Sequence, residues 1–365
     1  MTVRPWSPTS VRPRAAVAQL PAYVPGARTS GGDQHKLSSN ENPFAPLDSV
    51  REAVAAAAGQ LNRYPDMFAG ELVEALAARH GVGPESVVAG CGSVAVLGHV
   101  LQAFCEPGGQ VVSAWRSFEA YPILVGLQGA EHVRVPVDAE GRHDLPGMAE
   151  AVTPTTDAVI VCSPNNPTGP AVHHEELATL LGSVPESVPV VLDEAYLEFV
   201  RDPAVADGDR LLAEHPNLVL LRTFSKAYGL AALRVGYAVA HPEIAQAVRT
   251  SSTPFGVNHL AQVAALASLE AERELAARVD EVVAERGRLV TGLRAQGWTV
   301  PDPQGNFVWL GLGGRTLDLA RDAAEHGVLV RPFAGEGMRI SVGTPEATEA
   351  VLELTRAWKA VDALH

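Results

Sequence analysis

Short apolar runs alternate with alanine-rich segments of helical period from residue 48 to about residue 250. This alternation is typical of βαβ units, in which helices connect the strands of a largely parallel sheet. The pattern therefore predicts an α/β fold whose large domain is built on a mostly parallel, seven-stranded sheet. The strands are expected near residues 86–89, 110–114, 132–136, 157–162, 188–193, 217–222 and 235–240.

The predicted sheet leaves the two ends of the chain outside the large domain, which we expect to span residues 48–255. Residues 256–365 begin with a long, alanine-rich segment that is charged on one face, followed by strand-like runs at 307–310 and 338–342. They are therefore expected to form a long linking helix and a smaller α+β domain. Residues 1–47 are rich in proline and arginine at the start and are read as an irregular arm.

Composition excludes several classes of function. A formal net charge of -14 disfavours nucleic-acid binding, which depends on a basic surface. The sequence has no apolar run of about 18 residues, so we expect no membrane span. The three cysteines form no C-x-x-C or disulfide-like pattern, which favours a reduced, cytoplasmic setting. The segment 173–176, His-His-Glu-Glu, is interpreted as the start of a helix and not as a metal site, because adjacent helical positions do not face one another.

Polar motifs follow three of the predicted strands. Residues 163–169 read S-P-N-N-P-T-G, residues 193–196 read D-E-A-Y, and residues 223–230 read T-F-S-K-A-Y-G-L, with Arg234 eight positions after Lys226. In open α/β sheets the ligand site lies at the carboxyl ends of the strands. An amine that can condense with an aldehyde, next to groups that can hold a phosphate, is what pyridoxal phosphate requires.

The residue types suit the reactive part of that cofactor. Lys226 would bind its aldehyde and then act as general base and acid. Asp193 ends a run that reads as buried and therefore needs a cationic or donor partner, which a protonated pyridine nitrogen would supply; the alternative is a buried aspartate that caps a turn. Tyr196 and Asn166 would donate hydrogen bonds to the cofactor's phenolate oxygen, while an Asx turn is the alternative for Asn166 and fits Asn165 better.

The anionic groups of cofactor and substrate also find candidate partners. Gly92 and Ser93 open an apolar helix whose first N–H groups can bind a phosphate, and Ser225 and Arg234 would complete that site. Arg339 would hold a substrate carboxylate through its planar fork of donors. Its alternative role is that of an arginine on the wet face of an edge strand.

Taken in order, the motifs N-N-P-T-G, D-E-A-Y and S-K-x7-R resemble those of the fold-type-I aminotransferases that use pyridoxal phosphate. Residues 40–43, N-E-N-P, and 339–343, R-I-S-V-G, resemble the histidinol-phosphate aminotransferase group, over roughly residues 20 to 360. Residues 90–94, G-C-G-S-V, and 115–119, W-R-S-F-E, are more similar to the actinobacterial aromatic, or phenylalanine, aminotransferases.

This resemblance implies further roles. Phe118 would stack on the cofactor ring, and Tyr64 would reach the phosphate of the partner subunit in a homodimer with shared active sites. Arg331 and Tyr23 would line the substrate pocket, and Asn42 would contact substrate or cofactor. For Phe118 and Tyr64 the alternative is core packing, and for the other three it is a surface or packing role.

The resemblance also implies that the N-terminal arm joins the small domain. The implied reaction moves an amino group between an aromatic amino acid such as phenylalanine and a 2-oxo acid such as 2-oxoglutarate, in amino-acid biosynthesis. The alternative substrate is histidinol phosphate.

Two other classes of enzyme share parts of this pattern. Gly90-x-Gly92-x-x-Ala95 loosely matches a dinucleotide-binding fingerprint, but the next strand-like run, residues 110–115, carries no acid to hold a ribose. Other pyridoxal-phosphate reactions, such as decarboxylation or aldol cleavage, use the same fold. Arg339 favours a substrate that keeps its carboxylate, so transamination is the preferred prediction.

Overall fold

The structure is a computed structural model that describes residues 10–22, residue 26 and residues 34–362, apart from the side chains of residues 361 and 362. Its strands, in chain order, are β1 (His35–Lys36), β2 (Val87–Gly90), β3 (Gln110–Trp115), β4 (Glu131–Pro136), β5 (Thr156–Cys162), β6 (Val190–Asp193), β7 (Leu218–Thr223), β8 (Gly236–Ala240), β9 (Phe307–Gly311), β10 (Val328–Leu329), β11 (Arg331–Phe333) and β12 (Gly337–Ser341).

The large sheet has seven strands in the order β2-β8-β7-β6-β5-β3-β4. Strand β8 is antiparallel to both of its neighbours, and the pairs from β7 to β4 are all parallel. All seven strands lie within two residues of their predicted bounds. The prediction of an α/β fold with a mostly parallel seven-stranded sheet is confirmed.

Helices cover the sheet on both sides. Alternate residues of a strand face opposite sides, so Val190 and Leu192 belong to one buried apolar cluster and Val191 to another. The helices are α1 (Ala15–Ala18), α2 (Asp48–Ala57), α3 (Gly70–His80), α4 (Ser93–Phe104), α5 (Tyr121–Gln128), α6 (Leu145–Glu150), α7 (His174–Ser183), α8 (Gly208–Glu214), α9 (Pro242–Ser251), α10 (His259–Glu270), α11 (Glu272–Ala295), α12 (Thr316–Glu325) and α13 (Pro345–Asp362). None of the helices in the described ranges is long and apolar enough to span a bilayer.

A second, smaller sheet holds strands β11, β12 and β9 in that order, all antiparallel. Helix α11 packs Leu275 into the cluster of the large sheet and Leu289 into the cluster of the small sheet, so it bridges the two. His35 and Lys36 pair with Val328 and Leu329, which places the segment that follows β1 beside the small sheet. The domain boundaries at residues 47 and 255 stay a prediction.

The last residue of β6 and the residue after it point to different partners. Asp193 accepts a hydrogen bond from Tyr121, whereas Glu194 pairs with Arg222 of β7 at 2.9 Å. The side chains of Glu194 and Arg222 are only 2% and 10% exposed. Glu194 therefore neutralises a buried arginine and belongs to the scaffold.

We expect Glu194→Ala to lower the free energy of unfolding by about 3–5 kcal/mol, because Arg222 would keep a buried charge without its main partner. Melting temperatures at one fixed scan rate measure this. The matched control is Glu214→Ala, which breaks a pair with Arg210 whose side chains are 51% and 63% exposed. That variant should lose no more than about 1 kcal/mol, and equal melting temperatures for both variants would contradict the prediction.

Candidate active site

A cavity of about 190 Å³ opens at the carboxyl ends of the central parallel strands. The register pairs Cys162 of β5 with Asp193 of β6, and Asp193 with Leu221 of β7, so the segments that follow these strands meet at one edge. The cavity is lined by Gly26, Ser38, Ser39, Ser93, Val94, Phe118, Cys162, Asn166, Asp193, Ala195, Tyr196, Thr223, Ser225, Lys226, Ala231, Arg234, Arg331 and Arg339.

Lys226 lies in the turn after β7 and extends into this cavity. Its Nζ atom donates a hydrogen bond to the Ser39 carbonyl at 3.3 Å and lies 5.7 Å from the centre of the Tyr196 ring. Burial, together with the positive charge of Arg339, lowers the pKa of Lys226 to about 7. A substantial fraction of the amine is therefore uncharged near neutral pH, as a nucleophile or general base requires.

Asp193 is held in position by Tyr121 and by the Ala195 backbone. The Tyr121 hydroxyl donates to Asp193 Oδ2 at 2.7 Å, and the Ala195 N–H donates to Oδ1 at 3.3 Å. Burial raises the pKa of Asp193 to about 6, and both hydrogen bonds act against that rise. Sequence reasoning missed Tyr121, although it follows Phe118 by three residues and their rings meet edge to face at 5.6 Å.

Tyr196 is joined to the small sheet through Asn40. Asn40 Nδ2 donates to the Tyr196 hydroxyl at 3.0 Å, and Asn40 exchanges two hydrogen bonds with Ser341 of β12, at 2.8 and 2.9 Å. Asn40 has a φ of 50°, a left-handed conformation in which asparagine is enriched. Its role was missed because the sequence gives N-E-N-P no chemical meaning beyond a family likeness.

Four of the predicted phosphate ligands lie together. Helix α4 begins at Ser93, and a Cβ atom on Gly92 would lie 2.5 Å from Nη2 of Arg234. Arg234 Nη1 lies 3.4 Å from Ser225 Oγ, and a Cβ on Gly236 would lie 2.4 Å from the Ser93 nitrogen. Glycine at positions 92 and 236 thus lets backbone N–H groups, a hydroxyl and a guanidinium converge at a helix N-terminus, which is an anion-binding arrangement.

Arg331 and Arg339 are directly opposite each other on strands β11 and β12. Arg339 donates to Asn166 Oδ1 at 2.6 Å and to the Ser38 carbonyl at 2.8 Å. Arg331 donates to Glu119 Oε2 from Nη2 at 2.6 Å and from Nε at 3.1 Å. Both guanidinium groups line the cavity and can face a substrate.

Two predicted site residues have other positions, and a third is not described. Tyr64 is 84% exposed in the single chain and packs on Phe255 at 4.8 Å, away from the cavity. Asn42 Nδ2 donates to the carbonyls of Lys226 and Ala227 at 3.3 and 2.8 Å, so it supports the lysine turn from outside the cavity lining. Tyr23 lies outside the described residues.

The family model "Aminotransferase class I and II" matches residues 32–354. An aromatic amino acid aminotransferase from Thermobifida fusca is 55% identical, over 94% of this chain and 96% of its own length. One from Streptomyces avermitilis is 52% identical, over 97% and 99%.

Among solved structures, histidinol-phosphate aminotransferase from Sinorhizobium meliloti, in complex with pyridoxal-5'-phosphate, is 28% identical with a TM-score of 0.86, over 96% of this chain and 99% of that chain. The predicted fold-type-I resemblance is confirmed, and the chain belongs to the class I and II aminotransferase family.

Proposed function

We propose that the protein is a pyridoxal-phosphate-dependent aminotransferase that moves an amino group between an aromatic amino acid and a 2-oxo acid. One observation carries the proposal: a half-buried lysine, a buried aspartate and three arginines line the same cavity in a chain of this family. The relatives that are 52–55% identical are named aromatic amino acid aminotransferases, which favours an aromatic substrate over the alternative, histidinol phosphate.

The side chains of the cavity fit pyridoxal phosphate by their donor and acceptor properties. Gly92, Ser93, Ser225 and Arg234 would hold its phosphate, and Asp193 its ring nitrogen. This cofactor supplies an electron sink for the electrons of a bond broken at the substrate's Cα. Phe118, which is half-buried against Tyr121, would lie on the ring, and Lys226 would carry the aldehyde carbon.

The directions of the observed hydrogen bonds leave Asn166 and Tyr196 each with a proton that can be donated to the cofactor. Asn166 uses its Oδ1 atom to accept from Arg339, so its amide N–H groups can donate to the cofactor's phenolate oxygen. The Tyr196 hydroxyl accepts from Asn40, so its own proton can be donated. Burial raises the pKa of Tyr196, which keeps that proton in place at neutral pH.

The side chains of the site then have separate roles in the reaction. Lys226 Nζ would hold the cofactor's aldehyde and would serve as general base and acid, moving a proton between the substrate's Cα and the aldehyde carbon of the cofactor. Asp193 would keep a proton on the ring nitrogen, and Tyr121 keeps Asp193 in position. Arg339 orients the substrate by binding its carboxylate through two donors in one plane.

We further infer a homodimer, because five large apolar side chains are exposed close together in sequence or in space. We call them the Tyr64 patch: Leu61, Tyr64, Met67, Phe68 and Phe255, exposed by 63%, 84%, 40%, 58% and 39%. A patch of this kind marks an interaction surface. A partner subunit that covers it would receive Tyr64 at its own phosphate site.

A cytoplasmic location is the setting that we propose for this enzyme. Cys91, Cys105 and Cys162 are all free thiols, which suits a reducing compartment.

The first prediction concerns the substrate. We expect kcat/KM for phenylalanine to exceed that for histidinol phosphate, with a common 2-oxo acid as acceptor. Arg339→Ala should lower the phenylalanine value by about 1.5–3 kcal/mol of transition-state binding, since a charge-assisted contact is lost, and should also weaken turnover of histidinol phosphate. A preference for histidinol phosphate of about tenfold, or 1.4 kcal/mol, would reverse the substrate assignment.

The second prediction concerns Asp193. Asp193→Asn keeps the shape of the side chain and an acceptor for Tyr121, but it cannot hold the positive ring nitrogen. We expect kcat to fall by a factor on the order of 10²–10³, as for other preorganised electrostatic contacts, with an unchanged melting temperature. Near-normal turnover would rule out the assigned role.

The third prediction concerns shared sites. Tyr64→Ala and Lys226→Ala subunits, each inactive or weakened alone, should regain activity when mixed, because a mixed dimer has one site with both defects and one with neither. Loss of the Tyr64 contact should weaken cofactor binding by about 1.5–3 kcal/mol. Subunit exchange is verified by mass spectrometry of differently tagged chains, and exchange without recovered activity would contradict sharing.

A further inference from the structure

Two arginines at the cavity face each other across one antiparallel strand pair. Arg331 and Arg339 are register partners on β11 and β12, and their side chains are only about 7–8% exposed. Like charges that are directly opposite on a sheet repel each other. Arg339 donates to the Asn166 amide oxygen and to the Ser38 carbonyl. Arg331 has a negatively charged partner.

Glu119 balances the charge of Arg331. This glutamate lies between β3 and α5, and one of its oxygens accepts from both Nε and Nη2 of Arg331, at 3.1 and 2.6 Å. These two atoms form an edge with which an arginine binds a carboxylate or phosphate in a bidentate way. Glu119 therefore already occupies that edge of Arg331. An anion that bound to the remaining Nη1 atom would lie beside the Glu119 carboxylate.

A second ion pair, between Arg116 and Glu336, lies outside the lining of the cavity. Arg116 Nε donates to Glu336 Oε2 at 2.8 Å, and this pair also joins the segment after β3 to the small sheet. Neither Arg116 nor Glu336 lines the cavity that contains Lys226. The two pairs thus connect the same parts of the molecule, but only the Glu119–Arg331 pair has a member, Arg331, that lines this cavity.

We propose that Glu119 is a specificity-determining residue that acts through Arg331 and disfavours substrates whose side chain ends in a dianionic phosphate. The inference rests on the proposed function and deepens it, since it names the part of the substrate that is selected. Under the proposed function, Arg339 binds the carboxylate of the amino acid. At the side-chain end the pair of Glu119 and Arg331 has no net charge, which suits an apolar aromatic ring and repels a dianionic phosphate.

The test compares histidinol with histidinol phosphate, two amines that differ only in the phosphate. The amine half-reaction of the holoenzyme, followed by the cofactor's absorbance, needs no acceptor, so the charge of a 2-oxo acid does not enter. The variants are Glu119→Gln, which removes the charge but keeps an acceptor for Arg331, and Glu119→Asp, which keeps the charge. Glu336→Gln is the matched control for a structural effect of losing one of the two ion pairs.

In Glu119→Gln the specificity for histidinol phosphate relative to histidinol should rise about tenfold, while the rate with phenylalanine changes by no more than about twofold. Glu119→Asp and Glu336→Gln should keep the wild-type ratio. An unchanged ratio in Glu119→Gln, or an equal rise in Glu336→Gln, would overturn the inference. Melting temperature and cofactor content, measured for each variant, verify that the compared proteins are folded and loaded.

Failure of the proposed function is visible separately. It would appear in the wild-type protein as an absent phenylalanine half-reaction, whatever the variants do. Calorimetric binding of the two histidinol compounds to wild type and Glu119→Gln then still measures the effect of Glu119 on phosphate recognition. A tighter relative binding of histidinol phosphate to the variant supports the inference, and equal relative binding refutes it.

Discussion

The register of the three central parallel strands is the constraint on which the site depends. Because Cys162, Asp193 and Leu221 are neighbours across β5, β6 and β7, the segments after these strands converge on one cavity. Burial on both sides of the sheet fixes this register, since a slip by one residue would turn each strand's side chains to the wrong side. Asp193 can stay there as a buried acid only because Tyr121 and the Ala195 N–H donate to it.

The parts of the structure that the sequence predicts are those with a local signal. The seven strands could be placed because each is a short apolar run, and Lys226, Asp193 and Asn166 because each stands in a compact motif after a strand. Strands β1 and β10 were missed, because two residues each are too few for a pattern and they form only through their pairing. Glu119 was missed as a functional residue because its partner lies 212 positions away. The sequence cannot show that Arg331 has an ion-pair partner, because tertiary contacts bring Glu119 to it.

The described side chains of the site carry a charge opposite in sign to the net charge of the chain. The chain has a formal net charge of -14, yet among the described residues the charged side chains that line the cavity are Lys226, Arg234, Arg331 and Arg339 against the acid Asp193. Fields in a cleft are set by the nearest groups, because those farther than about 8–10 Å across solvent are screened by salt. An acidic protein can thus attract a phosphate and a carboxylate to one point of its surface.

The placement of Arg331 and Arg339 on a single hairpin has a consequence for how such an enzyme can diverge. Both side chains stand on the same two paired strands, so the carboxylate contact proposed for Arg339 and the side-chain contact proposed for Arg331 keep a fixed spacing. A new specificity is more readily reached by replacing Glu119, which lies outside this hairpin, between β3 and α5. Evolution can then retune what the enzyme accepts while leaving the geometry of the amino-acid backbone untouched.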